Sequence, residues 1–325
     1  MKFNLVTFLN YEFGLGWDFN LLKNLLEDWG HEVRGVNLDL RTQAVNSEMS
    51  EADVNIFLEL LTPTTTLYGR AKHNWFIPNQ EWYHTEWDKY LNYVNRILCK
   101  THEAERAFRD HNVNPEKLYH MGFESRDLYD PMIPRKRKFL HVAGGSASKN
   151  TLAVAYAFAK FFYNPWDKDD TQEFILVSRN SGHENMIKDH KNCTYIEKAG
   201  PDELKHLMNE CIFHIMPSGA EGWGHVIHEG LGCGAVMLTT DFPPMNEFGG
   251  IDKRALISTP SWKPMSIGRI AWVGGLQVKE TVERMVRLKP EQITEIQINA
   301  RAAFLVQRDY FRQRFKELIT AVEGK

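Results

Sequence analysis

Residues 211–248 read CIFHIMPSGAEGWGHVIHEGLGCGAVMLTTDFPPMNEF. The apolar run Ile212 to Met216 has the length of a buried strand. It stops at Pro217-Ser218, and a loop with Gly219, Gly222 and Gly224 follows. The pattern then predicts a helix from about Gly224 to Gly232 and a second strand from Ala235 to Thr239. Strand, glycine loop, helix, strand is a βαβ unit and implies a parallel sheet. A helix starting at such a loop presents unbonded backbone N–H groups and the positive end of its dipole, which suits a phosphate or a sugar hydroxyl. Glu221 sits in the loop and Glu229 lies eight residues on. Along a continuous helix eight residues rise about 12 Å and turn roughly 80° beyond two full turns. The two carboxylates therefore cannot hold one atom. They suit opposite parts of an extended hydroxyl-rich ligand, such as the sugar and the ribose of a nucleotide sugar, because a carboxylate accepts from vicinal hydroxyls.

The same alternation extends in both directions. Upstream, strands are expected at Phe139 to Ala143, Glu173 to Ser178 and Thr194 to Ile196, with helices at Thr151 to Phe162 and Asp202 to Asn209. Downstream of Gln277 the chain reads as mainly helical and ends in an amphipathic stretch, Ala302 to Val322. The first third repeats the plan: a strand at Phe3 to Leu9, a tight loop with Gly14 and Gly16, and a helix ended by Gly30. Strands then follow at His31 to Val36, Val54 to Leu58, Asn74 to Ile77, Arg96 to Cys99 and Leu118 to Met121. A further helix is expected at Thr101 to Asp110. Between the halves, residues 130–138 hold two prolines and four consecutive basic residues and read as a linker. A chain of 325 residues fits two domains at roughly 150 residues each. The boundaries expected are 1–133, 134–300 and a C-terminal helix, 301–325, packing back on the first domain. Two doubly wound sheets would face each other across a cleft, since open α/β sheets bind ligands at their carboxyl edges.

Composition narrows the classes. The 43% hydrophobic and 25% charged content belongs to an ordinary globular chain. A net charge of −3 gives no bulk attraction to nucleic acid or membrane. The four cysteines form no CxxC pair, which argues against a disulfide framework or a zinc site. No apolar run approaches the roughly 20 residues that span a bilayer. No cleavage signal follows Met1. The location expected is the cytoplasm. His225 and His228 are one helical turn apart but lack a third ligand at a convincing spacing, so no metal is expected.

Here a resemblance enters. Pro217-Ser218, Glu221-Gly222-Trp223-Gly224, Glu229, Gly234 and the strand Val236 to Leu238 resemble the E-x7-E signature of retaining GT-B glycosyltransferases, the group called glycosyltransferase family 4. FLHVAGGSASKN resembles the opening strand and loop of that family's donor domain. EFILVSRN resembles its next strand, GFESRDLYDP the segment closing its first domain, and FGLGWDFNLLKNLLEDWGHEV its first loop and helix. The resemblance implies an α/β GT-B fold of two Rossmann-like domains. It implies sugar transfer with retention from a nucleoside-diphosphate sugar of uridine, guanosine or adenosine type, with no cofactor or metal.

By the same resemblance, Lys149 stands at the diphosphate-binding lysine. Glu221 would bind the donor sugar and Glu229 the ribose. Gly222, Trp223, Gly224, Gly144, Ser146, Gly14 and Gly16 would line the donor. The family often has an arginine five residues before the lysine; Gly144 stands there instead, and Arg179 is a candidate substitute. Glu247 matches a glutamate common near that point.

Other readings stay open from the residues. Gly14 and Gly16 suit a plain strand–helix turn equally well, and Trp223 suits core packing as well as a pocket wall. Asn79, Glu81 and Trp82 follow a strand and are possible acceptor contacts or ordinary loop packing. Arg135 to Lys138 read as a solvated linker, or as a weak contact for an anionic membrane or polyanion. The acceptor could be a glycan, lipid, small molecule, protein or modified nucleic-acid base. Competing functions are a degenerate sugar- or nucleotide-binding protein and a GT-B phosphorylase or epimerase. A Rossmann dehydrogenase fits poorly, because Phe19 stands where the third glycine of GxGxxG should be.

Overall fold

The computed structural model describes residues 1–9, 14–143, 146–162 and 172–323. They form two compact units: Met1–Gly122 with Pro264–Gly268 and Arg312–Lys325, and Phe123–Lys263 with Arg269–Phe311.

The first unit contains β1 (Lys2–Thr7), α1 (Gly14–Asp28), β2 (Glu32–Asn37), β3 (Ala52–Leu58), β4 (Ala71–Ile77), β5 (Arg96–Cys99), α2 (His102–Asp110) and β6 (Leu118–His120). Its six strands are parallel in the order β2-β1-β3-β4-β5-β6. The direction of winding reverses between β1 and β3. The inner strands are largely buried on both faces, as in a covered parallel sheet. Gly30 ends α1 with φ +84°, a backbone that only glycine adopts freely. The Thr101 hydroxyl caps α2 by accepting from the Ala104 N–H at 3.1 Å.

A buried ladder of asparagines crosses the middle of this sheet. Asn4, Asn55 and Asn74 sit opposite one another on β1, β3 and β4. Asn4 Nδ2 donates to Asn55 Oδ1 at 2.9 Å, and Asn55 Nδ2 to Asn74 Oδ1 at 2.9 Å. Asn55 Nδ2 also donates to Leu67 O at 2.9 Å, and Asn74 Nδ2 to Tyr68 O at 3.0 Å. A slip of one residue would turn every rung to the opposite face, so the ladder fixes the register.

The second unit contains β7 (Lys136–Val142), α3 (Thr151–Phe161), β8 (Phe174–Val177), α4 (Ser181–Ile187), β9 (Cys193–Ile196), α5 (Pro201–Glu210), β10 (Cys211–Met216), α6 (His225–Gly232), β11 (Val236–Thr240) and β12 (Leu256–Ile257). A short ribbon, β13 (Ser261–Met265) and β14 (Gly268–Trp272), precedes α7 (Gly275–Val286) and α8 (Pro290–Val322). The second sheet is also six-stranded and parallel, in the order β12-β11-β10-β7-β8-β9. Its winding reverses between β7 and β10. Phe158 anchors the core, stacked on Phe174 at 4.3 Å and tilted against Phe139 at 5.1 Å. Helix α8 counts with the second unit up to Phe311 and with the first from Arg312, where Phe315 packs on Trp29 at 5.9 Å.

Two expectations need correction. Gly14 and Gly16 are not in a loop; they form the first turn of α1. The expected linker 130–138 is shorter, because β7 already begins at Lys136. Its basic run is matched residue by residue inside the second unit. Arg135 donates to the Cys233 carbonyl, Lys136 pairs with Glu210, and Lys138 pairs with Glu173 at 2.9 Å. Arg137 donates to Val286 O at 2.8 Å and lies over the Phe213 ring. Strand pairing is compatible with four like charges in a row because the two lysines meet carboxylates and the two arginines donate to carbonyls.

All four cysteines are free. Cys99, Cys211 and Cys233 are buried and Cys193 half-buried. Burial raises each thiol above the ordinary cysteine value, to about 12 for Cys193, Cys211 and Cys233. Among the described residues no helix is long and apolar enough to cross a membrane.

The asparagine ladder supplies a stability test. Asn55→Ala takes a hydrogen bond from Asn4, Asn74 and the Leu67 carbonyl, of which Asn4 Nδ2 keeps its bond to Ser50 O at 2.9 Å. Each buried group left unmatched costs about 1–3 kcal/mol before relaxation. We expect a loss of roughly 3 kcal/mol or more in a urea titration followed by circular dichroism, with an unchanged slope. A loss below about 1 kcal/mol would show that the ladder does not hold the sheet.

Candidate functional site

The reversal point of a doubly wound sheet leaves a crevice at its carboxyl edge, because neighbouring strands send their following loops apart. In the second unit the described residues there are 146–150, following β7, and 217–224, following β10. They are tied together. The Gly219 N–H donates to Ser148 O at 2.7 Å, and Asn150 Nδ2 donates to Pro217 O at 2.7 Å. Strand β11 pins the second loop from its other side: the Thr239 hydroxyl donates to Met216 O at 2.8 Å and the Thr240 hydroxyl to Ser218 O at 2.6 Å. Gly219 is required here because a Cβ would lie 2.3 Å from the Ala271 carbonyl oxygen.

This clasp brings Lys149 and Glu221 together as an ion pair, Nζ on Oε1. Lys149 stands on a short 3-10 turn started by Ser146, whose hydroxyl accepts from the Ser148 N–H at 3.2 Å. Ser218 is fully buried, and its Oγ has no hydrogen-bond partner among the described residues.

Gly224 caps α6 with φ +81°, which turns the chain from the loop into the helix. Trp223 is buried and stacks on His228 at 3.8 Å and 10°. Phe248 closes on both rings, at 5.7 Å and 4.4 Å. Trp223 is thus packed into the wall beneath the loop. Burial pushes the His228 imidazole down to about 3, against the opposing pull of the Gly224 carbonyl.

The segment Phe123–Arg126 seats against the same helix. Ser125 Oγ accepts from Trp223 Nε1 at 3.0 Å and shares a hydrogen bond with His225 Nδ1 at 2.8 Å. Arg126 Nε donates to Glu229 Oε1 at 2.6 Å. Neither Ser125 nor Arg126 is marked by local sequence. Their partners lie about a hundred residues away, and only the GFESRDLYDP resemblance draws attention to the segment.

The remaining candidates fall as follows. Gly222 lies buried in the β10–α6 loop, and Arg179 is exposed just past β8, next to β7 in the sheet. Gly144 lies outside the described residues. Glu247 sits on a 3-10 turn after β11. In the first unit, Asn79 and Glu81 are buried just after β4, with Asn79 Nδ2 at 3.5 Å from Glu81 Oε1, while Trp82 is half exposed. The sequence reading missed a charge cluster at the carboxyl edge of this sheet. Buried Lys100 meets Asp18 at 3.2 Å and Glu59 at 3.6 Å. Burial works to lower that ammonium, but the two carboxylates outweigh it and leave it above the ordinary lysine value. Among the described residues no group of three or more His, Cys, Asp or Glu side chains is arranged to hold a metal ion.

No protein-family model and no curated protein sequence matches the chain. Solved structures do. Sucrose-phosphate synthase of Thermosynechococcus elongatus is similar over 99% of this chain and 98% of its own, with a TM-score of 0.72 at 10% identity. HepE of Anabaena, solved with UDP-glucose, is similar over 98% of this chain and 100% of its own, with a TM-score of 0.67 at 14% identity. The fold is GT-B. The pneumococcal O-GlcNAc transferase GtfA, solved with UDP and GlcNAc, is similar over 89% of this chain, with a TM-score of 0.65 at 13% identity. This chain spans 65% of GtfA's length. At such identities the GT-B likeness establishes the architecture alone, and the chemistry rests on the residues.

The buried histidine gives a pH test. Its folded value lies below the ordinary 6.5, so the unfolded chain takes up the proton first. The stability that His228 contributes is complete above pH 6.5 and is lost as pH falls towards about 3. Between pH 7 and pH 5 this amounts to about 2 kcal/mol. In urea titrations at the two pH values, His228→Gln should lose about that much less than the parent. Equal losses would mean that His228 is not held neutral.

Proposed function

We propose that this chain is a retaining glycosyltransferase of the family 4 type. It would move a sugar from a nucleoside-diphosphate sugar to an acceptor hydroxyl without a divalent metal. The observation that carries the reading is the clasp at the β7/β10 reversal point, which sets Lys149 against Glu221 beside the start of α6. HepE and GtfA were solved with uridine diphosphate or its glucose ester, which supports uridine as the first base to try.

The ion pair explains how the site would exchange partners. In the free protein Glu221 neutralises Lys149. An entering diphosphate brings stronger negative charge to Lys149 and to the N–H groups at the start of α6. That releases Glu221 to accept hydrogen bonds from the sugar. Glu229, a turn further along α6, would hold the ribose. In the transfer step the bond from the anomeric carbon to the phosphate oxygen breaks and a bond from the acceptor oxygen to the same face forms. The acceptor proton passes to the departing phosphate oxygen. Charge builds on the diphosphate and on an oxocarbenium-like sugar, so fixed positive groups lower the barrier. Gly144 in place of an arginine also supports a second reading, a protein that binds nucleotide sugars without turning them over.

The first test is thermal stabilisation by uridine, guanosine and adenosine diphosphates and their sugars, with EDTA present. One base should raise Tm clearly. Lys149→Ala should weaken that diphosphate about tenfold or more, and Glu221→Gln should cut transfer about a hundredfold or more while keeping diphosphate binding. Wild-type transfer by both variants would overturn the site. Binding by the parent with no transfer to any acceptor would favour the second reading. No stabilisation by any base would remove both.

A further inference from the structure

Two consecutive residues of the segment Phe123–Arg126 grip two consecutive turns of α6. Ser125 holds His225, and Arg126 holds Glu229, four residues further on the same face. The segment is itself anchored, because Phe123 is fully buried against Phe311 at 5.0 Å. Glu229 is nearly sealed from solvent while Arg126 is about a third exposed, so the guanidinium approaches from the open side. Among the described residues the Glu229 carboxylate makes no other hydrogen bond. Arg126 takes Oε1 and leaves Oε2 to a ligand. A glutamate side chain has three rotatable bonds, and one charge-assisted bond at 2.6 Å removes most of that freedom before any ligand arrives.

We propose that Arg126 is the positioning residue for nucleoside recognition: it fixes the Glu229 carboxylate so that its second oxygen reads the ribose 2′-hydroxyl. The proposal rests on the reading of this site as one for a nucleoside-diphosphate sugar. It assigns selectivity for ribose over deoxyribose to a residue about a hundred positions from the signature. An ordinary structural ion pair would give a different result, since its loss would weaken both kinds of nucleotide alike.

The test measures Kd for uridine, guanosine and adenosine diphosphates, each against its 2′-deoxy form. The proteins are the full-length parent, Arg126→Ala, Arg126→Lys, Arg126→Gln and Glu229→Gln. The parent should prefer the ribose form of its base by about tenfold or more, the worth of one hydrogen bond to a charged group. Arg126→Ala should reduce that preference below about threefold, mainly by weakening the ribose form. Glu229→Gln should do the same, and Arg126→Lys should keep most of the preference. If Arg126→Ala does not fold, Arg126→Gln, which keeps a donor but no charge, should show a reduced preference and serves as the deciding variant. A full preference in the folded Ala or Gln variant, or equal weakening of both forms, overturns the proposal. So does a parent that binds a diphosphate without preferring ribose, which leaves the transferase reading intact. A parent that binds none of the diphosphates removes the transferase reading itself.

Discussion

The hydrogen bond from the Gly219 N–H to the Ser148 carbonyl holds the second unit's site together. Pairing of β7 with β10 starts the two loops side by side, and the reversal then sends the following chain in opposite directions. This bond ties the loops together across 71 residues of chain, and the reciprocal contact of Gly219 O with the Ala271 N–H fixes the far side. The peptide at Gly219 is therefore held from both directions, with no room for a side chain. Lys149 and Glu221 meet because their backbones have already met. Their attraction did not need to organise the loops.

The two units treat buried charge differently. In the first, Lys100 lies almost wholly out of water between Asp18 and Glu59. Removing one partner there would strand a charge in low dielectric, so the cluster behaves as a fixed anchor. In the second, Lys149 and Glu221 are also largely buried, as a single ion pair at the carboxyl edge of the sheet. An anion of higher charge can replace that carboxylate where it brings its own hydrogen bonds to the ammonium.

Most of the fold was legible because apolar runs in covered parallel sheets are nearly continuous, as at Val54 to Leu58 and Ile212 to Met216. Three kinds of feature were not. Helix α4, SGHENMI, has little apolar periodicity and announces itself only through the cap at Asn180. The ribbon β13–β14 carries Pro264 and mostly exposed side chains, so it lacks the alternation of a half-buried strand. Asparagines in strands read singly as breakers, and only the register of three strands turns Asn4, Asn55 and Asn74 into a ladder. The candidate site divides in the same way. Glu221, Glu229 and Trp223 share a local glycine frame that sequence displays, and Lys149 sits in a second such frame. Ser125 and Arg126 owe their places entirely to tertiary contact. The basic run 135–138 misled because its partners, Glu210 on α5, Glu173 ahead of β8 and the carbonyls of Cys233 and Val286, cannot be seen along the chain.

The four free thiols have a chemical consequence. A cysteine reacts through its thiolate, and burial keeps these in the protonated form at neutral pH. Peroxide, disulfide reagents and soft metal ions would find almost no nucleophilic sulfur on the folded chain. That protection comes from the fold and not from the composition, and it lasts only as long as Cys99 stays packed in the first unit's core and Cys211 and Cys233 in the second's.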